Sequence, residues 1–250
     1  ERGLTKETCE LFGIRTALSP TDGKTHEAYY FPYYNQKGEL VAYKKRDMTI
    51  PKDEKYHFTT VGNLKKDVQL FGQPLASQNQ RKHSKLFVVE GEWCAASLYQ
   101  SLIDDVKGTS YADLKPFVVS IGFGTASATE HVLQNKDFVM SFKDAIVLAM
   151  DNDEATAAEK LKGMMKGREA RDALGNALMG APLFYLPHNV EMKDCSDYLQ
   201  QGKSKDLAKL AAFGIKPYVA EKILKAEDIS FEQLIAERPV GIMVPESPKL

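Results

Sequence analysis

Four short apolar runs, at residues 86–89, 117–121, 145–150 and 182–186, alternate with stretches of helical character. That alternation constrains the fold more than any other feature. Each run has the length of a buried strand, and none approaches the ~20 residues a membrane helix needs. The stretches between them, 92–103, 129–133 and 154–178, carry helical periodicity, with a break in the last expected at Gly163 or Gly167. Strand and helix in regular alternation require crossover connections, which produce a parallel sheet covered by helices. The expected class is therefore α/β.

Composition narrows the function classes. A formal net charge of −1 with 43% hydrophobic residues is too apolar for a disordered chain and too polar for a membrane one. A length of 250 residues allows one large domain or two small ones. The three cysteines, Cys9, Cys94 and Cys195, form no CxxC pair, so neither a disulfide framework nor a zinc ribbon is expected. No basic-then-apolar leader opens the chain, so no signal peptide is expected, although a removed leader would leave no trace. Up to Lys85 there are 15 Lys and Arg against 10 Asp and Glu, and beyond it 18 against 24. A basic front and an acidic back suit a polyanion in one part and metal ions in the other, or are an ordinary solvated surface.

Residues 1–80 read as a mixed α/β subdomain. Residues 5–12 form a helix candidate, with Thr5 able to cap it and Gly13 able to stop it. An aromatic strand at 28–34, a turn at 35–38 and a second strand at 39–46 read as an antiparallel hairpin. Residues 59–71 carry Lys65 and Lys66 and end at Gly72. Residues 81–204 hold the alternating α/β pattern. From 205 to 250 the pattern weakens to helical stretches at 220–225 and 231–237. Pro239, Pro245 and Pro248 then break it, as in a linker.

In an open parallel sheet, ligands sit beyond the carboxyl ends of the strands. Acidic residues stand there: Glu90 and Glu92 after the first run, Asp151 and Asp153 after the third, Asp194 and Asp197 shortly after the fourth. Alternate residues of extended chain point the same way, so Asp151 and Asp153 can face one site. Clustered carboxylates repel one another unless cations neutralise them, and hard cations such as Mg²⁺ prefer carboxylate oxygen. The pattern fits a Mg²⁺ site for phosphoryl or nucleotidyl transfer. The bland alternative is that Asp153, Glu154 and Asp194 cap helices.

Glu90-Gly91-Glu92, Gly122-Phe123-Gly124, Asp151-Asn152-Asp153-Glu154-Ala155 and Lys193-Asp194 resemble the motif series of a TOPRIM domain. Three front-half segments resemble the RNA polymerase domain of phage primase–helicases, to which mitochondrial Twinkle helicase is related. They are Tyr30-Phe31-Pro32-Tyr33-Tyr34, Ala42-Tyr43-Lys44-Lys45-Arg46-Asp47 and Lys65-Lys66-Asp67-Val68-Gln69-Leu70-Phe71-Gly72. The resemblance covers about residues 3–202 and implies a TOPRIM domain with a central parallel sheet flanked by helices, preceded by the small mixed subdomain.

The activity so implied is synthesis of short RNA primers from ribonucleoside triphosphates on single-stranded DNA. Glu90 would be a general base or metal-organising residue. Asp151 and Asp153 would hold Mg²⁺ or Mn²⁺, with Asp194 beside the metals. Lys44, Lys66 and, more weakly, Arg46 match basic positions that contact nucleotide or template; an ordinary charged strand edge is the rival reading for residues 44–46. The resemblance further implies a covalently linked, ring-forming helicase part in a longer protein, a monomeric fragment, no membrane, and phage replication in a host cytoplasm, with the mitochondrial matrix open. No Walker A glycine loop is present. Where the pattern has Asp four residues after its first Glu, this chain has Cys94, for which Glu92 is a candidate substitute; Gln73 and Thr156 also depart from it. A thiol is a poor Mg²⁺ ligand. These departures keep open a catalytically degenerate module that binds single-stranded DNA in support of a helicase.

Overall fold

A computed structural model describes residues 3–51, 54, 56–78, 84–113, 115–152, 166–189 and 191–219. These belong to one compact unit ending at Tyr218, plus Val219. The helical stretches expected at 220–225 and 231–237 lie outside the described residues, as does 154–165 of the long helix expected at 154–178.

The front part begins with α1 (Lys6–Leu11), whose Thr5 side chain accepts from the Thr8 amide at 3.2 Å as an N-cap. A four-stranded antiparallel sheet follows, in order β1 (Arg15–Leu18), β2 (His26–Tyr34), β3 (Leu40–Asp47) and β4 (Phe58–Gly62). The hairpin expected from the aromatic run is β2–β3. Its turn is held by Asn35 Oδ1, which accepts from the Lys37 and Glu39 amides at 2.9 and 3.0 Å. The outer strands β1 and β4 lack the apolar alternation that marks a strand: their residues are exposed except Ala17. Because β3 lies between β2 and β4, residues 44–46 are not a strand edge, which corrects that reading.

The short α2 (Gln73–Ser77) leads to a second sheet of β5 (Lys85–Val89), β6 (Phe117–Ser120), β7 (Ala145–Ala149), β8 (Leu183–Tyr185) and β9 (Lys216–Pro217), in order β6-β5-β7-β8-β9. The first four strands are parallel, as the alternation of runs requires; β9 adds an antiparallel edge too short to announce itself. The helices are α3 (Glu92–Val106), α4 (Ala128–Gln134), α5 (Lys136–Met140), α6 (Lys166–Ala177), α7 (Cys195–Gln200) and α8 (Ser204–Phe213).

Every residue of β6 and β7 is buried, as befits a sheet covered on both faces. Side chains alternate between two cores. Phe87, Val89, Val147 and Ala149 meet Ala95, Leu98, Tyr198, Leu207 and Ala211 from α3, α7 and α8. Leu86, Val88, Ile146 and Leu148 meet Val132, Val139 and Leu174 from α4, α5 and α6, and Leu178 just beyond α6. Leu207 is fully buried, a contribution of roughly 1.5–3 kcal/mol. Thus α8, which follows the boundary expected at residue 204, packs in the core, and the compact unit runs on to Tyr218.

The chain leaves β5 for β6 on one side and returns to β7 on the other. The carboxyl ends of β5 and β7 therefore flank the point where strand order reverses, the usual ligand crevice of such sheets.

Candidate active site

The residues after β5 and β7 open into a cavity of about 540 Å³, closed on its far side by the antiparallel sheet. Glu90, Glu92, Cys94, Asp151 and Asp194 line it from the parallel sheet, and Lys44, Arg46 and Phe58 from β3 and β4. Two hydrogen bonds of Asn152, one from its backbone and one from its side chain, bring the acids together. The Asn152 amide donates to the Lys193 carbonyl at 2.7 Å, and Asn152 Nδ2 donates to the His188 carbonyl at 3.2 Å. They fasten the residue after Asp151 to the segment before Asp194. At Gly167 in α6, an added Cβ would lie 1.9 Å from the Asp151 carbonyl oxygen, so only glycine lets the helix approach so closely.

One ligand atom each from Cys94, Asp151 and Asp194 lies within 4.8 Å of the others. Asp194 caps α7: its Oδ1 accepts from the Ser196 and Asp197 amides at 2.6 and 2.9 Å and from Ser196 Oγ at 2.8 Å. The capping and metal-site readings of Asp194 are therefore compatible, because Oδ1 caps while Oδ2 belongs to the same carboxylate facing the cavity. Two carboxylates fit a hard divalent cation. The third donor is a thiol only 5% exposed, its pKa pushed well up by burial and then by Asp151, Asp194 and Cys195. Cys195 is raised for the same first reason. Both thiols are protonated, hence poor partners for Mg²⁺. Glu90 lines the cavity but stands outside this group of three, and Asp153 lies outside the described residues.

Glu92 is not the substitute carboxylate. It is 3% exposed and its Oε1 accepts from Tyr33 Oη at 2.6 Å and Lys44 Nζ at 2.9 Å. Paired residues of antiparallel strands share a face, so Tyr29, Phe31 and Tyr33 of β2 point with Lys44 and Arg46 of β3 toward α3. Burial and then the Glu92 charge raise the Tyr33 phenol well above its ordinary pKa, which keeps it a donor. Lys44 Nζ also donates to the Gly122 carbonyl at 3.1 Å and lies 4.6 Å from the Phe58 ring. Gly122 has no Cβ because Tyr33 occupies its place, 2.7 Å from where one would be. Behind it, the Gly122 amide donates to His131 Nδ1 at 3.1 Å, so Nε2 is the protonated nitrogen facing the Val68 carbonyl at 3.1 Å. Burial lowers the His131 pKa, consistent with a neutral structural ring.

The other basic candidates divide. Arg46 lines the cavity, yet its Nη1 donates to the carbonyls of Asp47, Ile50 and His57, holding the β3–β4 connection. Lys66 is outside the cavity, paired with Glu130 at 2.5 Å with both side chains about half exposed. Phe58 and His57 also line the cavity and stand in no motif of the sequence. Their types are common in loops and strands, and only the fold brings them together.

No protein-family model matches the chain, and no curated protein matches it. Solved structures do. The primase fragment of the bacteriophage T7 primase-helicase protein is 26% identical, with a TM-score of 0.59 over 84% of this chain and 72% of that one. A DNA primase domain from Pseudomonas aeruginosa is 19% identical, with a TM-score of 0.57 over 86% and 70%. The DnaG primase catalytic domain bound to ssDNA is 15% identical, with a TM-score of 0.56 over 86% and 69%. The chain has the fold of the primase catalytic cores.

Proposed function

We propose that this chain is the catalytic part of a DNA primase that builds short RNA primers on single-stranded DNA by metal-dependent nucleotidyl transfer. The observation that carries the reading is the juxtaposition of Asp151 and Asp194 at the carboxyl end of the parallel sheet with Lys44 reaching in from the opposite sheet. The likeness to a primase-helicase fragment and to a primase domain bound to ssDNA supports the template and a link to a helicase part, for which a ring is the natural form.

In this reading Asp151 and Asp194, with Asp153 beyond the described residues, hold the cation, and Cys94 sits against it as a neutral neighbour. When bound, Mg²⁺ or Mn²⁺ supplies charge neutralisation for a triphosphate and lowers the pKa of an attacking hydroxyl. Glu90 lines the cavity and in this reading accepts the proton of the 3′-hydroxyl. An ammonium group has three donors. Lys44 uses two, on Glu92 and Gly122, which leaves one for a phosphate oxygen. Tyr33 fixes Glu92, and Glu92 fixes the ammonium, so Lys44 needs little reorganisation when a phosphate arrives. At Gly124 in the same wall an added Cβ would meet nothing within 4 Å, which leaves room for a strand or nucleotide.

The test is DNA-dependent release of pyrophosphate from ribonucleoside triphosphates. The reading requires release that depends on Mg²⁺ or Mn²⁺ and is lost in Asp151→Asn. Unchanged DNA binding with no release from either protein would instead leave a binding module.

A further inference from the structure

A second cavity, about 310 Å³, lies between α1, the β1–β2 pair and the start of α3. Its size is at the lower end of the about 300–1,000 Å³ of small-ligand sites. Trp93 lines both this cavity and the larger one, so one indole separates the two. The walls are aromatic. The His26 and Tyr29 rings stack at 5.5 Å with an interplanar angle of 12°, and Tyr29 meets Trp93 edge-on at 4.8 Å and 82°. Ile14 is buried beneath. One cation, Lys6, stands at the exposed rim; Arg15 pairs with Tyr30 in the sheet, so its side chain takes the face opposite Tyr29. Lys6 is engaged only by a 3.7 Å ion pair with Glu10, both well exposed, a contact worth little.

This combination has a definite ligand chemistry. Flat aromatic surfaces accept any nucleobase by stacking, and a rim cation accepts its phosphate. An aliphatic ligand would use neither the parallel ring pair nor the charge. The lining, together with the shared indole wall, points away from a free-standing metabolite site and toward something that also passes the larger cavity.

We propose that this second cavity holds one unstacked nucleobase with its phosphate, next to the acidic cavity and on the other side of Trp93. The identity of the source, a template strand or a free nucleotide, rests on the primase reading; the chemistry of the pocket does not. His26 and Tyr29 supply the stacking surface, Lys6 the phosphate contact, and Trp93 reports occupancy. Trp93 is the only tryptophan of the chain, which makes its fluorescence specific to this wall.

The experiment titrates the whole chain in the presence of a chelator, with oligothymidylate in one arm and ATP in the other, and reads Trp93 emission. The variants are Lys6→Glu and His26→Ala, two independent changes at exposed positions, and Asp151→Asn as a change in the other cavity. The expected result is a change in emission in at least one arm. Its midpoint should shift about fivefold to a hundredfold in His26→Ala, the scale of one base stack, should rise in Lys6→Glu, which loses the phosphate contact, and should stay put in Asp151→Asn. Response to the oligonucleotide alone assigns the base to a strand, and response to ATP alone assigns it to a free nucleotide. Lys6→Glu and His26→Ala titrating as the parent, or a parent that binds DNA with no change in emission, would overturn the proposal. RNA synthesis by the parent with that outcome leaves the primase reading standing alone. A response sensitive to both variants in a chain that makes no RNA leaves the pocket standing without it.

Discussion

Tyr33 Oη and Lys44 Nζ donate to the same oxygen, Oε1 of Glu92, at 2.6 and 2.9 Å. The first two residues come from the antiparallel sheet and the third from the first turn of α3, so one buried carboxylate ties the two halves of the cavity together. A carboxylate this buried is tolerated because both its charge and its lone pairs are met.

Removing Glu92 alone strands the Lys44 ammonium in a largely buried place. Glu92→Ala should lower unfolding free energy by about 3–5 kcal/mol. Tyr33→Phe removes one hydrogen bond and should lower it by about 1 kcal/mol. Lys44→Met combined with Glu92→Leu removes both charges and should recover much of the Glu92→Ala loss. Urea unfolding of the four proteins checks this; equal losses in Glu92→Ala and the double variant would show that the pair is not coupled.

Asp194 carries two duties that substitutions separate. Asp194→Ala loses the cap of α7 and should be less stable by about 1 kcal/mol. Asp194→Asn keeps the cap, because an amide oxygen accepts the same backbone donors, and should melt like the parent. Both should lose nucleotide incorporation by about a hundredfold or more. Melting temperature and turnover, measured on the same samples, give the comparison.

Cys94 marks where a third carboxylate would complete the cluster. In Cys94→Asp, three clustered acids, one of them buried, repel one another, so the protein in chelator should be less stable than the parent by about 1–3 kcal/mol. Added Mg²⁺ should return that loss, since a ligand at a hundred times its Kd stabilises by about 2.7 kcal/mol. Thermal unfolding with and without Mg²⁺ is the measurement. An equal Mg²⁺ shift in parent and variant would place the cation away from residue 94.

His188 is buried, and burial lowers its pKa to about 4, with Asp194 pulling weakly the other way and Cys195 Sγ 3.8 Å from Nε2. The unfolded ring titrates near its ordinary value of 6.5, so between about 6.5 and 4 the unfolded state binds the proton and the folded state does not. Stability is therefore complete above pH 6.5 and falls as pH drops toward 4, by about 3 kcal/mol in all. Urea unfolding of His188→Asn against pH should show a flatter slope in that window.

The fold was legible where periodicity was strong. Residues 86–89 and 145–150 read as buried parallel strands, and β5 and β7 are those strands, because unbroken apolar runs have few other places to go. The strands β1, β4 and β9 were not legible: β1 and β4 are mostly exposed and β9 is two residues long, so they exist through their pairing and not through their own pattern. At the site, Asp151 and Asp194 were readable from their places after strands. The occupation of Glu92 by Tyr33 and Lys44 was not, because it depends on contacts 59 and 48 residues apart in sequence. Lys66 shows the converse: a basic residue in a resembling motif pairs with Glu130 outside the cavity.

If the Asp151–Asp194 centre joins ribonucleotides on single-stranded DNA, one assay decides it: incorporation of labelled ribonucleotides on single-stranded DNA with Mg²⁺ or Mn²⁺, resolved by length, for the parent and for Asp194→Asn. Short RNA products are expected from the parent and none from the variant, at equal stability and equal DNA binding. The same products from both proteins, or none from a parent that binds the DNA, would contradict that role of the centre.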